Sequence, residues 1–189
     1  FGYCLMKDNA HYKIIFTGPV GAGKTTAIAA LSDVPPVTTE QKATDETASR
    51  KELTTTSLDY GIMRLENGQS VHLYGTPGQE RFNFMWEILT EGGIGLVLLL
   101  DAARENPEQD MVFFIEAFQE LISSTGLAIG LSRVDLVENA DALRLRLIEV
   151  LKSRQLNPPV FFVDARKKED IQTLVRAMLY SIDPGITHG

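Results

Sequence analysis

Residues 18–25 read GPVGAGKT and satisfy the pattern Gly-x-x-x-x-Gly-Lys-Thr in full. An apolar run, Tyr12 to Phe16, precedes them, and the helical stretch TTAIAALS follows. Glycine at 21 and 23 lets the backbone curl until consecutive N–H groups point into one concavity, a natural seat for phosphate oxygens. The backbone from Gly18 through Val20, Gly21, Ala22 and Gly23 forms the expected cradle. Lys24 and Thr25 open the helix, with Thr26 next, and the helix start adds its own partial positive charge. Lys24 carries charge to the terminal phosphates of a nucleoside triphosphate, and the Thr25 hydroxyl reaches Mg²⁺. Such a cradle needs a buried strand, a tight loop and a helix in immediate succession, which restricts the chain to an α/β architecture.

The rest of the sequence agrees. Apolar stretches (LDYGIMRL, SVHLYG, GLVLLLDA, 127–132, 160–163) alternate with helical ones at 108–123, 141–154 and 168–182. This alternation predicts a mostly parallel sheet with helices on both faces. Met111, Phe114, Ile115, Phe118, Leu121 and Ile122 keep a period near 3.6, as do Ile171, Leu174, Val175, Met178, Leu179 and Ile182, so both stripes face the core. Residues 58–74 read differently. They form two strands joined across Glu66, Asn67 and Gly68, a tight hairpin that places one antiparallel strand at an edge. Residues 35–56, poor in large apolar side chains, read as a long surface loop, the kind that in compact domains usually serves function.

With 189 residues, 44% of them hydrophobic, the chain can bury one core but not two of ordinary size. The organisation expected is an N-terminal extension, 1–10, and one domain, 11–189. A net charge of −7 opposes unaided binding to nucleic acid or anionic lipid. The single cysteine, Cys4, excludes an internal disulfide and fits a reducing, cytoplasmic setting. The apolar run Leu96 to Leu100 is too short to span a bilayer, and ITHG is not a prenylation box, so no intrinsic membrane anchor is expected.

Two further stretches, TTTSLDYG (54–61) and GTPGQERF (75–82), resemble the two switches of Ras-like small GTPases, over about residues 12–182. That resemblance implies a six-stranded, mostly parallel sheet with one antiparallel edge strand, GTP and GDP as ligands, and hydrolysis of GTP. It implies that Gly78 donates its N–H to the γ-phosphate and that Gln79 orients the attacking water. Thr55 closes over Mg²⁺ and the γ-phosphate, with Thr54 and Thr56 one register away, so the implied metal ligands are Thr25 and Thr55. The guanine contacts implied are Ser132, Arg133 and Asp135, with Ala165 and Arg166 after the sixth strand. Asp135 accepts from guanine N1–H and the exocyclic amine. A proline before Gly-Gln resembles bacterial members, including the gliding-motility type, and so implies protein partners: a roadblock-fold activator and an effector.

The sequence departs from that family at three places. Gly75 stands where a carboxylate normally holds a water on Mg²⁺, so weak metal affinity is expected. Val20 stands where Ras has glycine and crowds the γ-phosphate, so slow intrinsic hydrolysis is expected. Ser132 and Arg133 replace the usual Asn-Lys pair. Two other readings stay open: a nucleotide-holding scaffold with little turnover, and an ATPase or kinase in which Asp101, at the end of GLVLLLD, holds Mg²⁺. Arg50 and Arg81 lie where a catalytic arginine would be sought. Phe82, Met85, Trp86 and Leu89 form a helical stripe that either packs inward or meets a partner.

Overall fold

The computed structural model describes residues 12–40, 57–66, 68–77 and 92–182. Seven strands form one sheet: β1 (Tyr12–Thr17), β2 (Val37–Glu40), β3 (Ser57–Arg64), β4 (Ser70–Gly75), β5 (Gly95–Asp101), β6 (Gly126–Ser132) and β7 (Val160–Phe162), in the order β2-β3-β4-β1-β5-β6-β7. The strands β4, β1, β5, β6 and β7 run parallel. Among the described residues the one reversed strand, β3, pairs antiparallel with both β4 and β2. The expected α/β sheet with its antiparallel hairpin is therefore present. Two details differ: residues 37–40, read as loop, supply a seventh strand, and that strand, not β3, is the edge. Its sequence, VTTE, is too short and too polar to show a buried period of two.

Central strands β5 and β6 are buried along their whole length, because helices cover both faces. On one face, α1 (Lys24–Leu31) and α5 (Lys168–Ile182) pack Ile28, Leu31, Ile171, Leu174 and Met178 against Ile14, Phe16, Leu73, Val97 and Leu99. On the other, α2 (Pro107–Ala117), α3 (Gln119–Ser124) and α4 (Ala140–Ser153) pack Met111, Phe114, Leu121, Leu143 and Leu147 against Ile15, Leu98, Leu100 and Ile129. The single helix expected at 108–123 is thus two. It breaks at Phe118, whose N–H still bonds the Phe114 carbonyl, and the apolar stripe continues across the break. Asn106 caps α2 by accepting from the Gln109 N–H at 3.1 Å, with Pro107 at the first helical position.

Parallel strands bring their C-terminal ends to one edge of the sheet, where ligands of open α/β folds gather. The ends of β1, β5 and β6 are Thr17, Asp101 and Ser132. All three are buried polar residues. Burial of that kind is tolerated only with hydrogen-bond partners, and each has one or more.

Candidate nucleotide site

After Thr17 the chain turns through Gly18, Gly21 and Gly23, with φ of +144°, +82° and +102°. At Gly18 a side chain is excluded twice over, because a Cβ would also overlap the Leu99 carbonyl oxygen of β5. A Cβ on Gly23 would lie 2.8 Å from the Ala165 Cβ, so the loop after β7 rests directly on the phosphate loop. Helix α1 then begins at Lys24 with Gly23 as its N-cap and no side-chain cap, which leaves the amides of its first turn free for an anion.

The Lys24 ammonium lies folded back inside the loop, donating to the Gly18 carbonyl at 2.6 Å and the Pro19 carbonyl at 2.8 Å. Burial pushes it down from 10.5 to about 8; the carboxylate of Asp59 partly offsets this and the Arg104 guanidinium adds to it. A cation held at such cost in solvation gains when an anion arrives. Thr25 and Thr26 are exposed at the helix start, and Val20 stands 57% exposed at the loop crest.

Thr25 donates its hydroxyl to Asp59 Oδ2 at 2.6 Å. The sequence reading did not single out this partner. The hairpin around Asn67 pairs residues equally distant from it, and Asp59 and Gly75 each lie eight positions away, directly opposite one another. Thr17 Oγ1 meets Thr76 Oγ1 at 2.8 Å, both groups buried, and the Thr76 N–H bonds the Phe16 carbonyl. The start of the phosphate loop and the start of the GTPGQ segment are thereby tied together.

The residues assigned to the base divide their work. Ser132 is buried, its hydroxyl 2.9 Å from the Ala22 carbonyl and 3.2 Å from the Leu100 carbonyl. With one proton to give, it braces the phosphate loop. Arg133 adopts a left-handed backbone, φ +58°, and its Nη1 pairs with Asp101 Oδ2 at 3.0 Å. Asp101 Oδ1 accepts from the Ala103 N–H at 2.9 Å, so this carboxylate ends its strand in a turn and an ion pair, and it is Asp59, not Asp101, that bonds Thr25. Asp135 is exposed on the 3₁₀ turn Val134–Leu136. Arg166 forks onto Asp164 at 2.9 and 2.8 Å, which holds the Asp164 carboxyl down at about 2; the field of Asp135 also reaches Arg166. The loop after β6 and the loop after β7 therefore face one region, beside the phosphate loop. Thr55, Gly78 and Gln79 lie outside the described residues, as do Arg50, Arg81 and the stripe from Phe82 to Leu89.

The family described as "conserved hypothetical ATP binding protein" has a model that matches residues 16–184, nearly the whole of this architecture. The chain belongs to this family. With its phosphate loop formed, this member is a nucleotide-binding P-loop protein. It is 32% identical over 77 residues to the uncharacterized protein MJ1339 of Methanocaldococcus jannaschii; the match takes in 41% of this chain and 46% of that protein, under half its length. Its fold matches that of a bacterial selenocysteine-specific elongation factor, EF-Sec, with a TM-score of 0.64 and 21% identity over 92% of this chain and 29% of that one. Among the described residues of this family member, no helix is long and apolar enough to cross a membrane.

Proposed function

We propose that the chain is a guanine-nucleotide switch that hydrolyses GTP slowly, built as one domain over residues 11–189. The observation that carries the reading is the Lys24 ammonium folded onto the Gly18 and Pro19 carbonyls at the mouth of an uncapped helix, beside two loops that bear Asp135 and Ala165. Lys24 and the amides of Gly21 to Thr26 hold the phosphates. Asp135 accepts from guanine N1–H and the exocyclic amine, a pair of donors that adenine lacks. Ala165 offers its N–H to the guanine oxygen, with Arg166 alongside. Thr55 and Gly78 sense the γ-phosphate, and Gln79 holds the attacking water in line.

Mg²⁺ fits the residues present, because this ion takes few protein ligands and relies on substrate phosphates and water for the rest. When bound, it neutralises charge on the terminal phosphates. Thr25 and Thr55 are the hydroxyls that would hold it. Control by proteins, a roadblock-fold activator and an effector among them, is the part of the reading that rests on the switch-like sequences TTTSLDYG and GTPGQERF alone.

The family description favours ATP as a second reading. Thermal stabilisation compared across GDP, GTP, ADP and ATP in Mg²⁺, with the nucleotide retained on purification, separates the two. Guanine nucleotides are expected to raise the melting temperature at concentrations where adenine nucleotides do not. Stabilisation by adenine nucleotides alone would replace the guanine-nucleotide reading with an adenine-nucleotide one.

A further inference from the structure

Gly75 ends β4 without a side chain, and the space is not empty. A Cβ built there would lie 2.9 Å from Ile28 Cδ1, 3.1 Å from Asp59 Cβ and 3.3 Å from Asp59 Oδ2. Asp59 comes from β3, directly across the ladder from Gly75. Cross-strand partners present their side chains to the same face of a sheet, so the position that lacks a carboxylate has one leaning over it. Asp59 is only 8% exposed, and its Oδ2 accepts the Thr25 hydroxyl proton at 2.6 Å.

That hydrogen bond has a chemical consequence. A hydroxyl has one proton and two lone pairs. Once the proton is given to Asp59, both lone pairs of Thr25 Oγ1 are free for a hard cation. The carboxylate behind the hydroxyl also makes its oxygen a better donor, as outer-shell carboxylates do for metal ligands generally. We propose that Asp59 is the carboxylate of the Mg²⁺ site, supplied across the β3–β4 ladder to the place where Gly75 leaves room for it. The proposal rests on the reading that the phosphate loop binds a nucleotide with Mg²⁺. It replaces the weak metal affinity inferred from Gly75 with ordinary affinity, and it explains why residue 75 is glycine: any larger residue would displace Asp59 or Ile28.

The experiment follows the full chain with a fluorescent GDP analogue while free Mg²⁺ is varied, and then repeats the titration with Asp59→Asn. Asparagine keeps an oxygen that accepts from Thr25 but gives up the charge. Expected is a Mg²⁺ half-saturation raised about 10- to 100-fold, with each titration referred to that variant's own nucleotide affinity in excess EDTA because the Asp59 carboxylate also acts on Lys24. The swap Asp59→Gly with Gly75→Asp, which returns the charge from the other strand, is expected to recover most of that loss and serves as the test should Asp59→Asn not fold. Equal Mg²⁺ dependence in the wild type and Asp59→Asn overturns the proposal, as does a folded swap variant whose nucleotide affinity no longer responds to Mg²⁺. A wild-type chain that binds no nucleotide at all overturns the function itself, an outcome visible before any variant is made.

Discussion

Lys24 offers a test that reads the phosphate loop without touching its sequence. Its ammonium titrates at about 8 in the free protein, against 10.5 in an unfolded chain, mainly because it is buried. Phosphate oxygens at the same site favour the charged form, so the bound state keeps the proton to much higher pH. Only protein that already carries the proton binds at full strength. Between pH 7 and pH 8.8 the protonated fraction falls about sevenfold, and GDP affinity should fall by the same factor, since each unit well above the pKa is a tenfold loss. The free protein should respond with the opposite sign. A lysine whose folded pKa is depressed costs stability below that pKa. The unfolded chain binds more protons between 8 and 10.5, so stability rises with pH across that window, by about 1 kcal/mol between pH 7 and 8.8. Affinity by fluorescence titration and stability by denaturant unfolding without nucleotide, both at fixed ionic strength, give the two slopes. A GDP affinity that is flat from pH 7 to 8.8, or an unliganded protein that loses stability there, would refute the argument. A lysine Nζ freely hydrated outside the loop would give the flat affinity and no stability slope of its own.

Other substitutions probe the remaining parts. Gly18→Ala places a Cβ against the Leu99 carbonyl at a φ of +144°, and a stability loss of about 3 kcal/mol or more is expected in chemical denaturation. Asp135→Ala should cost guanine nucleotides about 2 kcal/mol while leaving adenine nucleotides unaffected, read by competition between GDP and ADP. Gln79→Ala should slow single-turnover GTP hydrolysis about 100-fold with little change in affinity, the size of effect that misplacing a reactant brings; an unchanged rate would favour the scaffold. Ser132→Ala leaves the buried Ala22 carbonyl without its hydroxyl donor, and about 1–3 kcal/mol of stability should be lost.

How much of this was legible in the sequence depends on the range of the signal. The phosphate loop is contiguous, and eight residues specify a geometry that Gly18, Gly21, Gly23 and Lys24 adopt. The two apolar helix stripes were equally plain, because period and burial coincide in Ile171, Leu174, Val175 and Met178. Strand β2 was not legible, since VTTE carries no periodic apolar signal and is defined by pairing with β3 alone. Asp59 is more instructive. Every fact needed was in the sequence: an Asn-Gly hairpin, an aspartate eight residues before its centre and a glycine eight residues after it. Reading Gly75 as a gap treated the end of one strand in isolation, whereas the ladder makes positions 59 and 75 a unit. The roles of Ser132 and Arg133 were hidden for a different reason. Resemblance implied contacts to the base, and the structure adds a brace onto the Ala22 and Leu100 carbonyls and an ion pair with Asp101, through contacts that cross the sheet.

The Ser132 hydroxyl also has a bearing on timing. It fastens the last residue of β6 to the inside of the phosphate loop, and the next three residues carry Asp135. The loop that forms the phosphate cradle and the loop that bears Asp135 are therefore joined through one hydroxyl. Were a ligand bound across both loops, displacing either one would pull on the other, and the two ends of that ligand would leave together.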